Sequence, residues 1–338
     1  MHLIFVIMLF VSCVARAGDI KDVSVPVSRI YNAVQSYSDL YNSPFVFLVR
    51  DRIDQSSGKI TLGELAQLCV GFLGVDTVKT CQEFMRAVIG GTGASEDDWK
   101  FTAKFESVGS VNFKIVADGT FYIDCGDGIK TEIAGDREKG TDVSCGNTNE
   151  IKIGGTATAY SDDANVPVIN FINNKSLVEV SGSLGGIFPT LNAASPRFVG
   201  TFWGCEKLAT ISDTLFSGIT GSGVENMFWG TFGETAITII PDGLFDDMSN
   251  ISAERMFAMT FYGCDKLTSI PTGLFSKVNV GAGLPEKMFY GTFANCTNVQ
   301  GGAPQINGTA LDKISDWGKV ETACFCNTQL SDVSNTWK

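Results

Sequence analysis

The amino-acid sequence predicts an α+β fold in which a solenoid of stacked repeats follows a small helical unit and a short β-rich, sandwich-like segment. Three observations support this prediction. A motif of about thirty residues recurs in the C-terminal half, apolar residues follow helical spacing near the N-terminus, and apolar and polar residues alternate in between. The predicted division is a signal peptide over 1–17, the helical unit over 18–95, the β-rich segment over 96–175 and the solenoid with its C-terminal cap over 176–338.

The N-terminal segment carries signals of export and of helix formation. Residues 1–17 combine an apolar run with an Ala15-Arg16-Ala17 cleavage site, which is the pattern of a secretory signal peptide. The alternative is a lipoprotein cleavage site at Cys13. Apolar residues at helical spacing then predict three helices. The first lies within 19–41, the second begins near Leu62, and the third runs from an N-cap at Asp76 to Gly90.

The middle segment shows the two-residue period of β-strands. Residues 111–133 alternate around Asp118-Gly119, which predicts a hairpin, and further strands are expected at 150–153 and 166–172. Within it, YIDCGDG (122–128) resembles a signature of PKD-like β-sandwiches, which implies a sandwich-like segment. Asp124 and Asp127 could bind calcium or act as a carboxylate pair, but a tight turn closed by Asp side chains is favoured.

The C-terminal repeats have anchor positions 29 to 32 residues apart. Each copy contains an F-x-x-x-F doublet, as in MFWGTFGETAITIIPDGLF (227–245) and MFAMTFYGCDKLTSIPTGLF (256–275). The four-residue spacing predicts that both rings lie on one face of a helical turn and point into the core. A short L-x-x-I segment follows and is expected to form a strand. The anchors are Leu177, Leu208, Ile237, Leu267, Val299 and Leu330.

The repeated pattern TFxGCxxLTSIPxGLF resembles that of the BspA-like leucine-rich-repeat proteins, which are surface proteins of bacteria and some parasitic protists. The resemblance covers about 160 residues. It implies a leucine-rich-repeat-like solenoid and a role in adhesion or recognition at a cell surface. The copies are longer than the usual repeat of that family, and residues 300–310 break the pattern.

Composition narrows the classes of function. The chain has 25 basic and 37 acidic residues and a net charge of −12, so an acidic nucleic acid is not an expected partner. Its single histidine, His2, lies in the predicted signal peptide. Histidine-dependent nucleophilic catalysis and histidine zinc sites are therefore excluded from the processed chain. No catalytic residue, cofactor or metal site is predicted. The predicted signal peptide is too short to span a membrane, and no other segment has transmembrane length.

The cysteines fall into three groups according to their expected roles. Cys205, Cys264 and Cys296 share one repeat position with Thr235 and Thr328, which indicates a small packing site more than half of a disulfide. Cys324 and Cys326 could pair with Cys296 or stay free. The better disulfide candidates are Cys69 with Cys81 and Cys125 with Cys145.

Two positions that vary between copies flank the Thr-Phe of each copy. One column consists of positions 199, 229, 258 and 290, and the other of positions 203, 233, 262 and 294. Each copy has one aromatic residue in one of these columns. These residues are ligand-binding candidates. Steric interleaving of large and small side chains between neighbouring copies would explain the alternation, whereas an aromatic platform would bind sugar rings or a protein partner. The four aromatic residues are Trp203, Trp229, Tyr262 and Tyr290.

Together these observations predict an exported, non-enzymatic binding protein at the cell surface or secreted, whose repeats bind protein or glycan, such as host matrix or another cell. Two alternatives remain open at this point. One is a carbohydrate-active enzyme with a carboxylate pair, which needs no histidine. The other is a periplasmic scaffold that binds another protein of the same cell.

Overall fold

The computed structural model describes residues 99–192, 194–279, 285–313, 323–331, 333 and 337, and the backbone pairing of two short strands nearer the N-terminus. The chain divides into two compact units, 1–95 with 128–130, and 96–127 with 131–338. In the first, β1 (Ser24–Pro26) pairs antiparallel with β2 (Lys59–Thr61). The predicted signal peptide and the rest of the predicted helical unit, with its two cysteines, lie outside the described residues.

The second unit is built around one seven-stranded mixed sheet with the order β5-β4-β6-β3-β8-β9, in which β7 also pairs with β3. Most neighbours are antiparallel, while β8 and β9 run parallel. The strands are β3 (Trp99–Ile115), β4 (Ala117–Asp124), β5 (Thr131–Ala134), β6 (Thr141–Tyr160), β7 (Ile169–Asn170), β8 (Leu177–Gly182) and β9 (Thr210–Ile211). A separate hairpin, β10 (Gln305–Ile306) and β11 (Thr309–Ala310), precedes a 3-10 turn at Leu311–Lys313.

The predicted α+β class is wrong for the described part of the chain. Its regular structure consists of strands and one 3-10 turn, with no α-helix among the described residues. The sandwich-like expectation is also wrong, because the strands of the β-rich segment share a single sheet. That sheet is half-buried in the way that alternation predicts, with apolar residues of β3 such as Phe101, Ala103 and Phe105 facing the core.

The predicted hairpin at Asp118-Gly119 is a further correction. These two residues lie inside β4, which pairs with β5 and β6 and not with β3. The pairing register shifts between Asp118 and Gly119, so a bulge occurs where a turn was expected. A Cβ on Gly119 would lie 2.4 Å from the Thr156 carbonyl oxygen of β6. The glycine therefore permits close approach of two strands, which is the other common use of glycine in a sheet.

The repeats form a stack of four-residue turns, here called the turn stack (197–205, 226–235, 255–264, 287–296 and 323–328). Every second amide donates to the next copy, as from Phe198 N to Met227 O at 2.7 Å. The amides between them close turns within their own copy, as from Thr201 N to Phe198 O at 3.2 Å. The alternation supplies partners for backbone groups that are buried between copies.

This arrangement corrects two predictions about the repeats. The F-x-x-x-F doublets lie in four-residue turns and not in helical turns. A backbone that repeats every four residues also places residues i and i+4 on one face, so the spacing fits both structures. The copies also do not form a leucine-rich-repeat-like solenoid, in which each copy would add a parallel strand. Of the anchor segments, those at Leu177 and Leu208 supply β8 and β9, and these strands extend the mixed sheet.

Left-handed residues recur at four-residue intervals in the turn stack. In one copy they are Asn226, Gly230 and Glu234, with φ of 60°, 62° and 57°. In the next they are Arg255, Met259 and Gly263, with φ of 51°, 56° and 68°. A left-handed residue occupies the third position of every second turn, as Gly200 does in the turn from Phe198 to Thr201, so the four-residue period is a property of the backbone.

The core of the turn stack consists of columns of phenylalanine rings. In one column, Phe202 stacks on Phe232 with ring centroids 5.6 Å apart, and Phe232 on Phe261 at 5.4 Å. The column reaches the sheet through Phe171, which stacks on Phe113 at 5.0 Å. The rings are almost completely buried, so the prediction that the doublets form the core is confirmed.

Buried hydroxyl and thiol groups join the copies beside these rings. Thr231 Oγ1 donates to Phe198 O at 2.8 Å, and Thr260 Oγ1 donates to Phe228 O at 2.9 Å. Cys264 Sγ contacts Phe232 O at 3.1 Å in the same manner. At the repeat position that threonine shares with cysteine, Cys264 reaches a carbonyl of the neighbouring copy, whereas Thr235 donates to Phe232 O of its own copy at 2.8 Å. Both side chains are small and can donate to a buried carbonyl, which explains why they share the position.

Candidate functional site

The four aromatic candidates, called the aromatic stripe (Trp203, Trp229, Tyr262 and Tyr290), lie on the turn stack outside its phenylalanine core. Trp203, Trp229 and Tyr262 are half-buried, and Tyr290 is 37% exposed. Within each copy, the four-residue turns place the two column positions, such as 199 with 203 and 229 with 233, on a common face. The predicted helical turn would do the same through a different backbone. The structure brings the first three rings together.

Trp203 lies at the centre of the aromatic stripe. Its ring stacks with Trp229 at a centroid distance of 6.0 Å and with Tyr262 at 5.8 Å, with interplanar angles of 13° and 14°. It also covers two glycines of the next copy, since a Cβ on Gly233 would lie 2.3 Å from Trp203 Cε3 and one on Gly230 2.8 Å away. Interleaving of a large side chain with small neighbours therefore describes Trp203.

We expect Trp203→Ala to lower the free energy of unfolding by about 2 kcal/mol, because a half-buried indole loses its contacts with two rings and leaves a gap above two glycines. Urea denaturation followed by circular dichroism measures this loss. Ile239→Ala is the matched control, because Ile239 is 67% exposed and should leave stability unchanged. A Trp203→Ala chain as stable as the Ile239→Ala chain would contradict a packing role.

Tyr262 joins the aromatic stripe to a row of amides. Asn295 Nδ2 donates to the Tyr262 hydroxyl at 2.8 Å, and Asn327 Nδ2 donates to Asn295 Oδ1 at 2.7 Å. Both asparagines occupy left-handed positions, with φ of 63° and 59°. Sequence reasoning missed this row, although asparagine tolerates left-handed backbone and its recurrence after the second phenylalanine of a copy was a usable signal.

The exposed surface around the aromatic stripe combines large apolar side chains with polar amide groups. Tyr290 belongs to the fourth copy, and Ile172, which is 48% exposed, occupies the position before the first copy that corresponds to Trp203. The Asn295 and Asn327 side chains supply donors and acceptors nearby. Large apolar side chains with hydrogen-bonding groups at the edge are the composition expected at a protein-binding surface.

The Asp124–Asp127 segment behaves as a turn. The Gly126 amide donates to Asp124 Oδ1 at 2.9 Å, and Asp124 is buried. This confirms the predicted turn closed by an aspartate side chain. Among the described residues no group of three or more His, Cys, Asp or Glu side chains could hold a metal ion.

The sequence predicts two disulfides, and the described part of the chain contains one. Cys125 is bonded to Cys145, which confirms the prediction for that pair. The predicted bond between Cys69 and Cys81 is not confirmed. Cys69 lies outside the described residues, and so does Cys81, so their pairing stays a prediction.

The described cysteines of the turn stack lie outside the disulfide. Cys205, Cys264, Cys296 and Cys324 are buried, and Cys326 is half-buried. Burial raises the pKa of the Cys205 thiol to about 12. The hydrogen bond with Cys264 and burial together hold the pKa of Cys296 well above its usual value. These thiols are packing groups, consistent with their shared position with threonine.

We expect Cys326 to react with iodoacetamide at pH 8 in the native state, while Cys205, Cys264 and Cys296 react only after unfolding. A thiol with a pKa near 12 is almost entirely protonated at pH 8, and burial also excludes the reagent. The native-state reactivity of Cys205 therefore rises only as the pH approaches the pKa of its thiol. Peptide mass spectrometry measures each site separately. Labelling of Cys205 at the rate of Cys326 would contradict the buried position.

Comparisons with protein-family models, curated proteins and solved structures gave no match. Among the residues that the structure describes, no helix is long and apolar enough to cross a bilayer.

Proposed function

We propose that this chain is an exported, non-enzymatic recognition protein whose aromatic stripe binds a partner protein. The observation that carries the proposal is the grouping of Trp203, Trp229 and Tyr262 as half-buried rings on one face, with Tyr290 exposed beside them. Tryptophan and tyrosine are enriched among the residues that contribute most to protein interfaces. The phenylalanine columns beneath provide a support that already holds the rings in place.

The ring geometry favours a protein partner over a glycan. A sugar ring stacks on an open aromatic face, whereas Trp203 already stacks with two rings and covers two glycines. What remains available is ring edges together with amide groups, a combination that fits apolar side chains and backbone of a polypeptide. A glycan is therefore the competing outcome of the binding experiment below.

Export rests on residues 1–17 and on the resemblance of the repeat motif to BspA-like surface proteins, both of which are features of the sequence. Protease shaving of intact cells that express the full chain, with immunodetection of 177–333, tests it. We expect rapid cleavage. Protection until the envelope is opened would contradict surface exposure and would favour the periplasmic scaffold.

The binding proposal is tested by selection from a displayed peptide library and, in parallel, from an oligosaccharide array. We expect peptides with aromatic or aliphatic anchors to bind the wild-type chain and to lose binding to a Trp229→Ala/Tyr290→Ala chain. Ile239→Ala, with its exposed apolar side chain away from the stripe, is the control. Selection of sugars alone would replace the protein partner by a glycan, and selection of neither would contradict the function.

A further inference from the structure

Several asparagines of this chain lie in Asn-x-Ser/Thr sequons, and the structure gives them different surroundings. Such asparagines accept N-linked glycans when a chain passes through a eukaryotic secretory pathway. A sequon whose Asn Nδ2 faces solvent can carry a glycan in the folded state. A sugar on an Nδ2 that donates inside the fold would replace one of its two N–H groups and compete for space with the hydrogen-bond partner. The sequon asparagines are Asn174, Asn250, Asn295 and Asn307.

Asn307 lies at the tip of the β10–β11 hairpin. Ile306 pairs with Thr309, and the two turn residues Asn307 and Gly308 have φ of 51° and 77°, which is the geometry of a tight two-residue turn. Asn307, Gly308 and Thr309 are all exposed. The acceptor amide and the hydroxyl residue of the sequon are therefore both accessible, and a glycan there would extend into solvent.

Asn250 lies in the loop that joins two copies. It is exposed, with φ of 52°, and Ser252 of the same sequon is exposed as well. Ile251 between them is buried and bridges to Val278, so it ties the loop to the core without using the Asn250 side chain. Neither this loop nor the hairpin at Asn307 contributes a residue to the aromatic stripe.

Asn295 is in the opposite situation. Its Nδ2 donates to the Tyr262 hydroxyl and its Oδ1 accepts from Asn327 Nδ2, at 2.8 Å and 2.7 Å. Nδ2 is the atom that would bear the sugar. A glycan at Asn295 would crowd the row of amides and cover the side of the aromatic stripe.

We propose that Asn307 and Asn250 are N-glycosylation sites and that Asn295 stays unmodified in the folded chain. An oligosaccharyltransferase would join the Asn Nδ2 to the anomeric carbon of a lipid-linked oligosaccharide diphosphate. The bond between that carbon and the diphosphate oxygen breaks, the lipid diphosphate leaves, and the amide loses one proton. Both glycans would lie on loops outside the aromatic stripe, so the stripe remains open to a partner.

The test is secretion of the full chain from a eukaryotic cell line behind a strong heterologous leader, followed by glycopeptide mass spectrometry with and without peptide N-glycosidase. We expect a glycan at Asn307 and at Asn250 and none at Asn295. Asn307→Gln and Asn250→Gln should each remove one glycan. Thr309→Ala should remove the glycan at Asn307 without changing the asparagine, whereas Thr309→Ser should keep it.

Two results would overturn the proposal. One is secreted chain in which Asn307 and Asn250 are both unmodified, and the other is secreted chain that carries a glycan at Asn295. Loss of the mass shift in Asn327→Gln, which changes an asparagine outside any sequon, would show that the shift does not arise at the named sites. The result is independent of partner binding, since it is read from the peptide masses alone.

Discussion

Phe257→Ala is expected to lower the free energy of unfolding by about 3–5 kcal/mol, the largest effect of any single substitution considered for the turn stack. The Phe257 ring is completely buried. It stacks on Phe228 at 5.7 Å and on Phe289 at 5.5 Å, and contacts Phe275 at 4.8 Å. Its removal therefore interrupts a ring column between two copies and leaves a cavity that the surrounding turns cannot close.

Denaturant unfolding followed by circular dichroism measures this effect. Phe257→Leu keeps most of the apolar volume and should cost clearly less. Thr260→Val is a second comparison, since it removes the hydroxyl that donates to Phe228 O but keeps the volume, and a cost of about 1–3 kcal/mol is expected. A loss below about 1 kcal/mol for Phe257→Ala would mean that the ring columns do not stabilise the stack.

The second large effect concerns the disulfide of the sheet. Cys125 follows β4, and Cys145 lies in β6, 20 residues further along the chain. Closing a loop of this length restricts the unfolded chain and stabilises the folded state by about 3 kcal/mol. The Cys125→Ser/Cys145→Ser chain is expected to lose a stability of that order.

The same denaturation experiment measures the loss. Cys326→Ser is the matched control, because Cys326 is a free, half-buried thiol whose replacement should leave stability unchanged. If the double variant unfolds at the wild-type denaturant concentration, the bond contributes nothing to the fold.

Sequence periodicity correctly identifies the core residues of the repeats but predicts the wrong backbone conformation for them. The spacing of Phe228 and Phe232 correctly indicates that both rings share a face. An α-helix with 3.6 residues per turn and a chain of four-residue turns satisfy that spacing almost equally well. The left-handed residues distinguish the two structures, and several of them, such as Glu234 and Met259, are not residue types that signal a left-handed conformation.

The hairpin error has a similar physical origin. Asp118-Gly119 is a strong turn signal because glycine permits positive φ. Glycine also lets two backbones approach closely, and the position of the neighbouring strand β6 decides which use applies. That strand is more than twenty residues away in sequence, so local pattern could not decide. The Asp124 turn was predictable because its hydrogen bond spans two residues.

The candidate site was partly predictable. Alternation of aromatic residues between two columns located the aromatic stripe and left packing and binding as alternatives. The structure shows packing for Trp203, which covers Gly230 and Gly233, and shows that Tyr290 is exposed. Contacts between copies, including the bond from Asn295 to Tyr262, depend on which copies are adjacent and on the register between them, neither of which a single sequence states.

The central claim is that the exposed part of the aromatic stripe serves binding and not stability. The most direct measurement is the affinity of Tyr290→Ala for a peptide selected by the wild-type chain, determined by isothermal titration calorimetry alongside urea denaturation of the same variant. We expect binding at least about tenfold weaker, which corresponds to about 1.4 kcal/mol, with stability within about 0.5 kcal/mol of wild type. Unchanged affinity, or weaker binding explained by a matching loss of stability, would contradict it.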